Sequence, residues 1–330
     1  MAITLADINK LRQKTQAGLM DCKKALTEAN GDFDEAMEIL RKKGQMVAAK
    51  RSDREAAEGC VLAKVNGNFG AMIALKCETD FVAKNADFVA LANQIIDAAV
   101  AAKAKTLDEV KNLKLGNDTI ADAVVNRSGV TGEKMELDGY ATVEGENIIA
   151  YNHMNGNFLC TLIALNKAAD AQVGKNIAMQ VAAMNPVALD EKSVPQATID
   201  AEYKADIEKA KENQISKAID AALKKAGINP AHVDSEEHME SNMDKGWITA
   251  EDVAKAKEIK KTVAEEKAAS LSEQMIENIA KGMLNKFFKE NCLLDQAYID
   301  DSKISVEQYL HSVDKDLTIN DYKRYTLRAE

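Results

Sequence analysis

The sequence predicts a helix-rich α+β protein. Ala, Lys and Glu are plentiful, aromatic residues make up only 5% and there are three prolines in 330 residues, a balance that favours helix with some sheet. The tetrad Asn-Gly-Asn-Phe occurs twice, at 66–69 and 155–158, each time between apolar runs, which is the strongest short-range signal for a β-hairpin. Two long, charged, alanine-rich stretches, 199–226 and 249–283, carry apolar residues at helical spacing. A chain of this length buries more than one core, so two or three compact units are expected.

In chain order, residues 4–44 read as three short helices. Thr4 with Asp7 forms a capping pair, Ile8 and Leu11 supply an apolar stripe, and the helix breaks at Gln16-Ala17-Gly18. A second helix runs through Cys22, Ala25 and Leu26 to Gly31. The third starts at Asp32 with Glu35 as its reciprocal cap, carries Phe33, Ala36, Met37, Ile39 and Leu40, and is expected to stop at Gly44. Leu19 and Met20, after the turn at Gly18, either complete the core of this small module or stand outside it as a contact; the residues by themselves favour the core. Through Asp53 the head carries a charge of +2 on a chain of −10, which leaves an acidic body. Residues 45–58 read as a charged linker with a domain boundary.

The body contains an internal repeat. Strands at 61–65 and 71–76 match strands at 148–154 and 159–166, and Ile73-Ala74-Leu75-Lys76 aligns with Ile163-Ala164-Leu165-Asn166. The offset between copies grows by one residue, which predicts a bulge in the second hairpin. A helix follows each hairpin, at 87–101 and at 175–184, the latter halted by Asn185-Pro186. A weaker helix over 107–125 and a strand near 140–143 lie between them. In the helical arms, Ile207, Ile215, Ile219 and Leu223 face Val253, Ile259, Val263, Leu271 and Met275 as the seam of an antiparallel coiled-coil hairpin. Its joining piece, 227–247, reads as a solvated projection with a mobile tip. A short helix through Val306, Tyr309 and Leu310 precedes a closing strand at 321–328, expected to pair with the second hairpin's sheet. The expected domains are 1–53 (module and linker), 54–139 (first subdomain), 140–198 with 284–330 (second subdomain) and 199–283 (helical hairpin).

Much chemistry is excluded. The five cysteines are scattered and never form a CxxC pair, so neither a disulfide framework nor a zinc site is indicated, and a reducing cytoplasm fits best. No basic, then apolar, leader opens the chain and no apolar run is long enough for a bilayer. The net charge argues against direct nucleic-acid binding. Neither GxxxxGK[ST] nor GxGxxG is present, so no direct nucleotide binding is expected, and no cofactor or metal. Cys77, His153 and Asp80 can be assembled into a nucleophile, base and orienter. The residue types weigh against that: a cysteine in an alternating strand is commonly a small core residue, and a histidine beside a turn is commonly structural.

One stretch organises the rest. At Cys77-Glu78-Thr79-Asp80-Phe81-Val82-Ala83-Lys84 a strand runs out into an amphipathic helix whose apolar positions are Phe88, Leu91, Ala92, Ile95, Ile96 and Ala99. Such a corner presents a side chain on a packed scaffold. Thr79 and Asp80 look like helix-start residues, and read from residue types alone Asp80 is the cap and Phe81 the first core residue.

Leu11-Arg12-Gln13-Lys14-Thr15-Gln16-Ala17-Gly18-Leu19-Met20-Asp21-Cys22-Lys23-Lys24-Ala25-Leu26 closely resembles the amino-terminal signature of the bacterial elongation factor Ts family, and the stretch 77–84 resembles its second signature. Weaker likeness continues through Tyr151-Asn152-His153, Ile177-Ala178-Met179 with Pro186, and 286–296. The resemblance implies a guanine-nucleotide exchange factor, without covalent catalysis, whose partner is elongation factor Tu in its GDP-bound and nucleotide-free forms. It implies that Thr79, Asp80, Phe81 and Val82 enter the partner near its magnesium and switch region. By the same likeness Arg12, Leu19, Met20 and Lys23 grip the nucleotide domain, and His153 touches another domain. It reverses the residue-by-residue reading of Phe81, Leu19 and Met20. Lys76 and Ala74 depart from the family, which commonly has asparagine and an acidic residue there, and put the hydrogen bonding of that strand in question. The helical hairpin looks longer than usual, and an extra carboxy-terminal helix found in some members is not expected. The head also resembles a ubiquitin-associated (UBA-like) fold, which offers the alternative of a protein-binding adaptor without exchange activity; that alternative leaves 79–84 unused.

Overall fold

A computed structural model describes residues 3–15, 17–154 and 157–328. The chain divides into two units, Met1–Leu189 with Ala297–Glu330, and Asp190–Gln296. Helices with small antiparallel sheets make it α+β, as composition predicts.

The first unit opens with α1 (Leu5–Thr15), α2 (Leu19–Glu28) and α3 (Phe33–Lys50), which enclose Leu11, Cys22, Ala25, Leu26 and Ala36. Thr4 and Asp7 exchange hydrogen bonds at the first helix start, and Asp32 accepts from the Glu35 N–H at the third, satisfying amides that have no partner within the helix. The third helix does not stop at Gly44. It runs on to Lys50, into the stretch expected to be linker, because Gly44 serves a helix crossing and not a cap: a Cβ there would stand 3.0 Å from the Val125 carbonyl oxygen.

Next, β1 (Glu58–Asn66) and β2 (Phe69–Cys77) pair with Asn66 opposite Phe69, and Gly67 at φ +61° opens the two-residue turn. A single helical turn, α4 (Asp80–Ala83), precedes α5 (Ala86–Ala102), which buries Phe88, Leu91, Ile95, Ile96 and Ala99 against this hairpin. The helix expected over 107–125 is two helices, α6 (Leu107–Asn112) and α7 (Ile120–Thr131). Between them β3 (Lys114–Leu115) and β4 (Asp118–Thr119) turn about Gly116, whose φ of +64° no helix interior accommodates. The strand expected near 140–143 starts earlier, as β5 (Met135–Glu144), and completes a sheet of order β1-β2-β5. Position 139, placed above at a domain boundary, therefore falls inside a strand.

The second copy is β6 (Asn147–Asn152), β7 (Leu159–Leu165) and α8 (Ala171–Met184), which ends at Asn185 with φ +42° before Pro186. The β6–β7 register runs from Asn147 opposite Leu165 to Asn152 opposite Cys160 without a shift. The bulge expected in this hairpin is therefore not found in the paired strands; Asn155 and Gly156 of the expected turn lie outside the described residues. The sheets share a core in which Val61, Ala63, Met72 and Ala74 meet Cys160, Leu162 and Ala164, leaving the outer faces to α5 and α8.

The second unit holds α9 (Gln196–Lys225), α10 (Glu236–Asp244), α11 (Ala250–Ser270) and α12 (Glu273–Asn291), with α9 packed along both α11 and α12. The returning arm breaks at Leu271-Ser272, where Ser272 caps α12 by accepting from the Met275 N–H. That break moves the seam: Ile276 and Ala280 are buried and Met275 is exposed. The boundary expected at 283/284 falls inside α12. Residues 227–247 are not a bare tip, since Ile228, Val233 and Met239 join Leu223, Ile248 and Ala256 in a core of their own. The chain then returns to the first unit with β8 (Ala297–Tyr298), β9 (Asp301–Ser305), α13 (Val306–Val313) and β10 (Ile319–Thr326). As the alternating pattern predicts, β10 pairs antiparallel with β7.

Candidate partner-docking site

The stretch 77–84 is pinned from behind. Thr79 caps α4, its Oγ1 accepting from the Val82 N–H at 3.4 Å, and donates to Glu133 twice, from Oγ1 at 2.7 Å and from its own N–H at 3.1 Å. The neighbouring Glu78 carboxylate accepts from the Arg51 guanidinium at 2.8 and 3.0 Å and from the Lys134 N–H at 2.6 Å. Burial alone would raise the Glu78 carboxyl, but the Lys134 N–H and the Arg51 charge outweigh it and hold it below the ordinary glutamate range. On the far flank Asn85 caps α5 by accepting from the Asp87 and Phe88 N–H groups, and it also accepts from Arg127 at 2.8 Å.

What this base presents is apolar. Phe81 is 84% exposed, while Val82 leans back on the first core and Asp80 is half-buried. The Asp80 carboxylate accepts from Lys84 at 2.7 Å, and that bond holds its carboxyl below the usual range. The reading of Asp80 as cap and Phe81 as core, drawn from residue types, is overturned: Thr79 is the cap and Phe81 is the most solvent-exposed large apolar side chain among the described residues. The strand behind it is sound despite Lys76 and Ala74. A bulge after Ala74 in the β2–β5 pairing leaves Asp138 without an opposite residue, and Lys76 reaches it at 2.8 Å.

On the amino-terminal module, Leu19 and Met20 are 41% and 61% exposed at the start of α2, with Arg12 and Lys23 exposed beside them in sequence. The module core closes without the apolar pair, so the residue-type preference for core fails here too. His153, at the end of β6, is half-buried; its Nδ1 lies 2.9 Å from the Tyr151 hydroxyl, and its ring meets Phe158 edge-on at 5.8 Å. The Arg328 guanidinium covers Phe158 at 3.7 Å. Reading by residue type missed Glu133, Asn85 and Arg127. Glu133 and Arg127 bond across 54 and 42 residues, so no local pattern marks them, whereas Asn85 carries the local signal of an Asn helix cap ahead of Ala86.

The thiol constellation does not assemble. Cys77 is fully buried with Sγ donating to the Thr79 carbonyl at 3.3 Å, Asp80 is engaged by Lys84, and His153 by Tyr151. Burial pushes the Cys77 and Cys60 thiols up to about 12 and Cys292 to about 11, far from the thiolate that a nucleophile requires. All five cysteines are buried. A thiol-specific reagent at neutral pH is therefore expected to leave the folded chain unlabelled on the time scale on which it modifies every cysteine in denaturant; rapid modification of Cys77 would restore it as a candidate. Among the described residues no group of three or more His, Cys, Asp or Glu is placed to hold a metal, and no helix is long and apolar enough to cross a membrane.

Fold and site together define a class: a duplicated hairpin-and-helix protein that offers bare apolar side chains on rigid supports. The model of the family Elongation factor TS matches residues 78–329. The chain is 65% identical to an elongation factor Ts of Bacteroides thetaiotaomicron over 330 residues, covering 100% of both chains. It is 44% identical to one of Porphyromonas gingivalis and 39% to one of Amoebophilus asiaticus, again over 100% of each chain. This chain belongs to the elongation factor Ts family of translation factors.

Proposed function

We propose that this chain is a cytoplasmic guanine-nucleotide exchange factor that releases GDP from the translational GTPase elongation factor Tu, with no covalent chemistry of its own. The observation that carries the reading is Phe81, 84% exposed on a corner whose neighbours are tied down by hydrogen bonds. Leaving a phenylalanine in water forfeits roughly 1.5–3 kcal/mol that a fitting pocket on a partner recovers. In this reading Thr79, Asp80, Phe81 and Val82 enter the GTPase near its magnesium and switch region. Arg12, Leu19, Met20 and Lys23 grip its nucleotide domain, and His153 makes a third contact.

Reciprocal coupling does the rest. A factor that binds the nucleotide-free GTPase more tightly than the GDP-bound one weakens GDP by the same ratio. An apolar wedge that displaces the elements holding magnesium leaves the phosphate charge less neutralised, which is where the weakening arises. The test is release of labelled GDP from purified elongation factor Tu, with magnesium present and the chain at substoichiometric level. Multiple turnovers of accelerated release are expected. No acceleration with a cognate partner would leave the UBA-like adaptor reading, which the exposed Leu19 and Met20 on a closed three-helix module also suit.

A further inference from the structure

We propose that the crossing of α3 and α7 at Gly44 and Gly129 locks the amino-terminal module to the Asp80-Phe81 corner, making the pair a positioning device that delivers both contacts at one fixed spacing. The proposal deepens the exchange reading and rests on it for the identity of the partner.

The crossing is backbone on backbone. A Cβ on Gly129 would stand 2.5 Å from the Gly44 Cα and 3.1 Å from its nitrogen, and one on Gly44 would stand 3.0 Å from the Val125 carbonyl oxygen. Side chains ordinarily hold packed helices 8–10 Å apart. Two glycines facing each other remove that spacer, so neither helix can slide or roll without a main-chain collision.

Both helices then lead to the corner. Arg51, at the end of α3, holds Glu78. The left-handed Gly132, with φ +76°, ends α7 and turns the chain so that Glu133 accepts from the Thr79 N–H and hydroxyl, and the Lys134 N–H donates to Glu78. Lys134 closes the knot by donating its Nζ to the Ser52 carbonyl at 3.2 Å. Glu78 is thus gripped from the ends of both helices, and Phe81 follows within one turn. At the module end, Lys43, next to Gly44, pairs at 2.6 Å with Asp21 in the first turn of α2, beside Leu19 and Met20. An adaptor head on a spacer requires none of this, because a flexible tether serves it equally well. Fixed spacing matters when seating one contact must bring the other into register without a further loss of freedom.

The test uses the full chain with nitroxides at Lys24→Cys and Ala86→Cys, both exposed, one on α2 and one at the start of α5; the native cysteines are buried and do not compete. Pulsed dipolar spectroscopy is expected to give one narrow distance distribution, which Gly129→Ala broadens or shifts. In GDP release, Gly129→Ala is expected to lower the maximal rate about tenfold while the half-saturating concentration moves less than about twofold, because the grip survives and the wedge is no longer delivered. Arg51→Met, which opens the knot without touching the crossing, should give the same split to a smaller extent and decides the matter if Gly129→Ala does not fold. An unchanged distance distribution in folded Gly129→Ala, or an unchanged maximal rate, overturns the coupling. If the unsubstituted chain releases no GDP, the exchange reading fails, while the distance measurement still decides whether crossing and corner move together.

Discussion

Phe81→Ala is expected to slow factor-stimulated GDP release by about 5- to 150-fold, the span of the 1–3 kcal/mol by which two sites on a protein are usually coupled. Stability to heat or urea should stay within about 0.5 kcal/mol of the parent, as for surface positions generally. The two readouts separate because the side chain is 84% exposed and contributes almost nothing to the fold, while Thr79 and Glu78, which do hold the corner, are untouched. The α4 turn keeps its Thr79 cap and the Asp80–Lys84 pair, so the variant presents the same backbone without the wedge. Phe81→Leu should recover part of the lost rate, since it restores apolar bulk without the ring. Release at the parental rate by Phe81→Ala would remove the wedge from the account and shift the coupling onto Asp80 or the amino-terminal module.

The elements were legible wherever a local signal set them. Thr4 with Asp7, Asn66-Gly67 and Asn185-Pro186 mark a helix start, a hairpin and a helix end by short-range hydrogen bonding and backbone geometry, and each is where the pattern puts it. By local pattern Gly44 reads as a stop, because a glycine after an apolar stripe usually is one. Its actual function, admitting Gly129, depends on a helix more than eighty residues later in the chain. A separation of 54 residues likewise hides Glu133 from any local reading of Thr79. The residue-type error at Phe81 has a sharper cause. Phe81 and Phe88 stand seven residues apart, which on one unbroken helix places them on the same face. The apolar stripe of α5 therefore extends naturally back to Phe81 and draws it into the core. Asn85 prevents this by capping a new helix at Ala86, so α4 is a separate turn and its phase is not that of α5. Only the likeness to a family signature pointed the other way.

The second phenylalanine carries the opposite expectation. Phe88→Ala should lower the stability of the chain by about 3–5 kcal/mol, the range for emptying a buried aromatic position. Its ring is 0% exposed at the start of α5, in the cluster that also holds Leu91, Ile95, Leu75 and Ile73, so truncation leaves a void between helix and sheet that neither can close alone. Its N–H donates to Asn85, which also accepts from Arg127 on α7, so the void opens beside the framework that holds the corner. Urea unfolding followed by circular dichroism measures the loss directly. GDP release measured well below the transition should fall far less than in Phe81→Ala, because the folded fraction still presents the wedge. A loss of under about 1 kcal/mol would mean that Phe88 does not fill a packed core and that α5 is held chiefly by its cap. The pair then tests one proposition from both sides: two phenylalanines in helical register are separated by a single capping asparagine into a side chain the fold depends on and one it holds out to a partner.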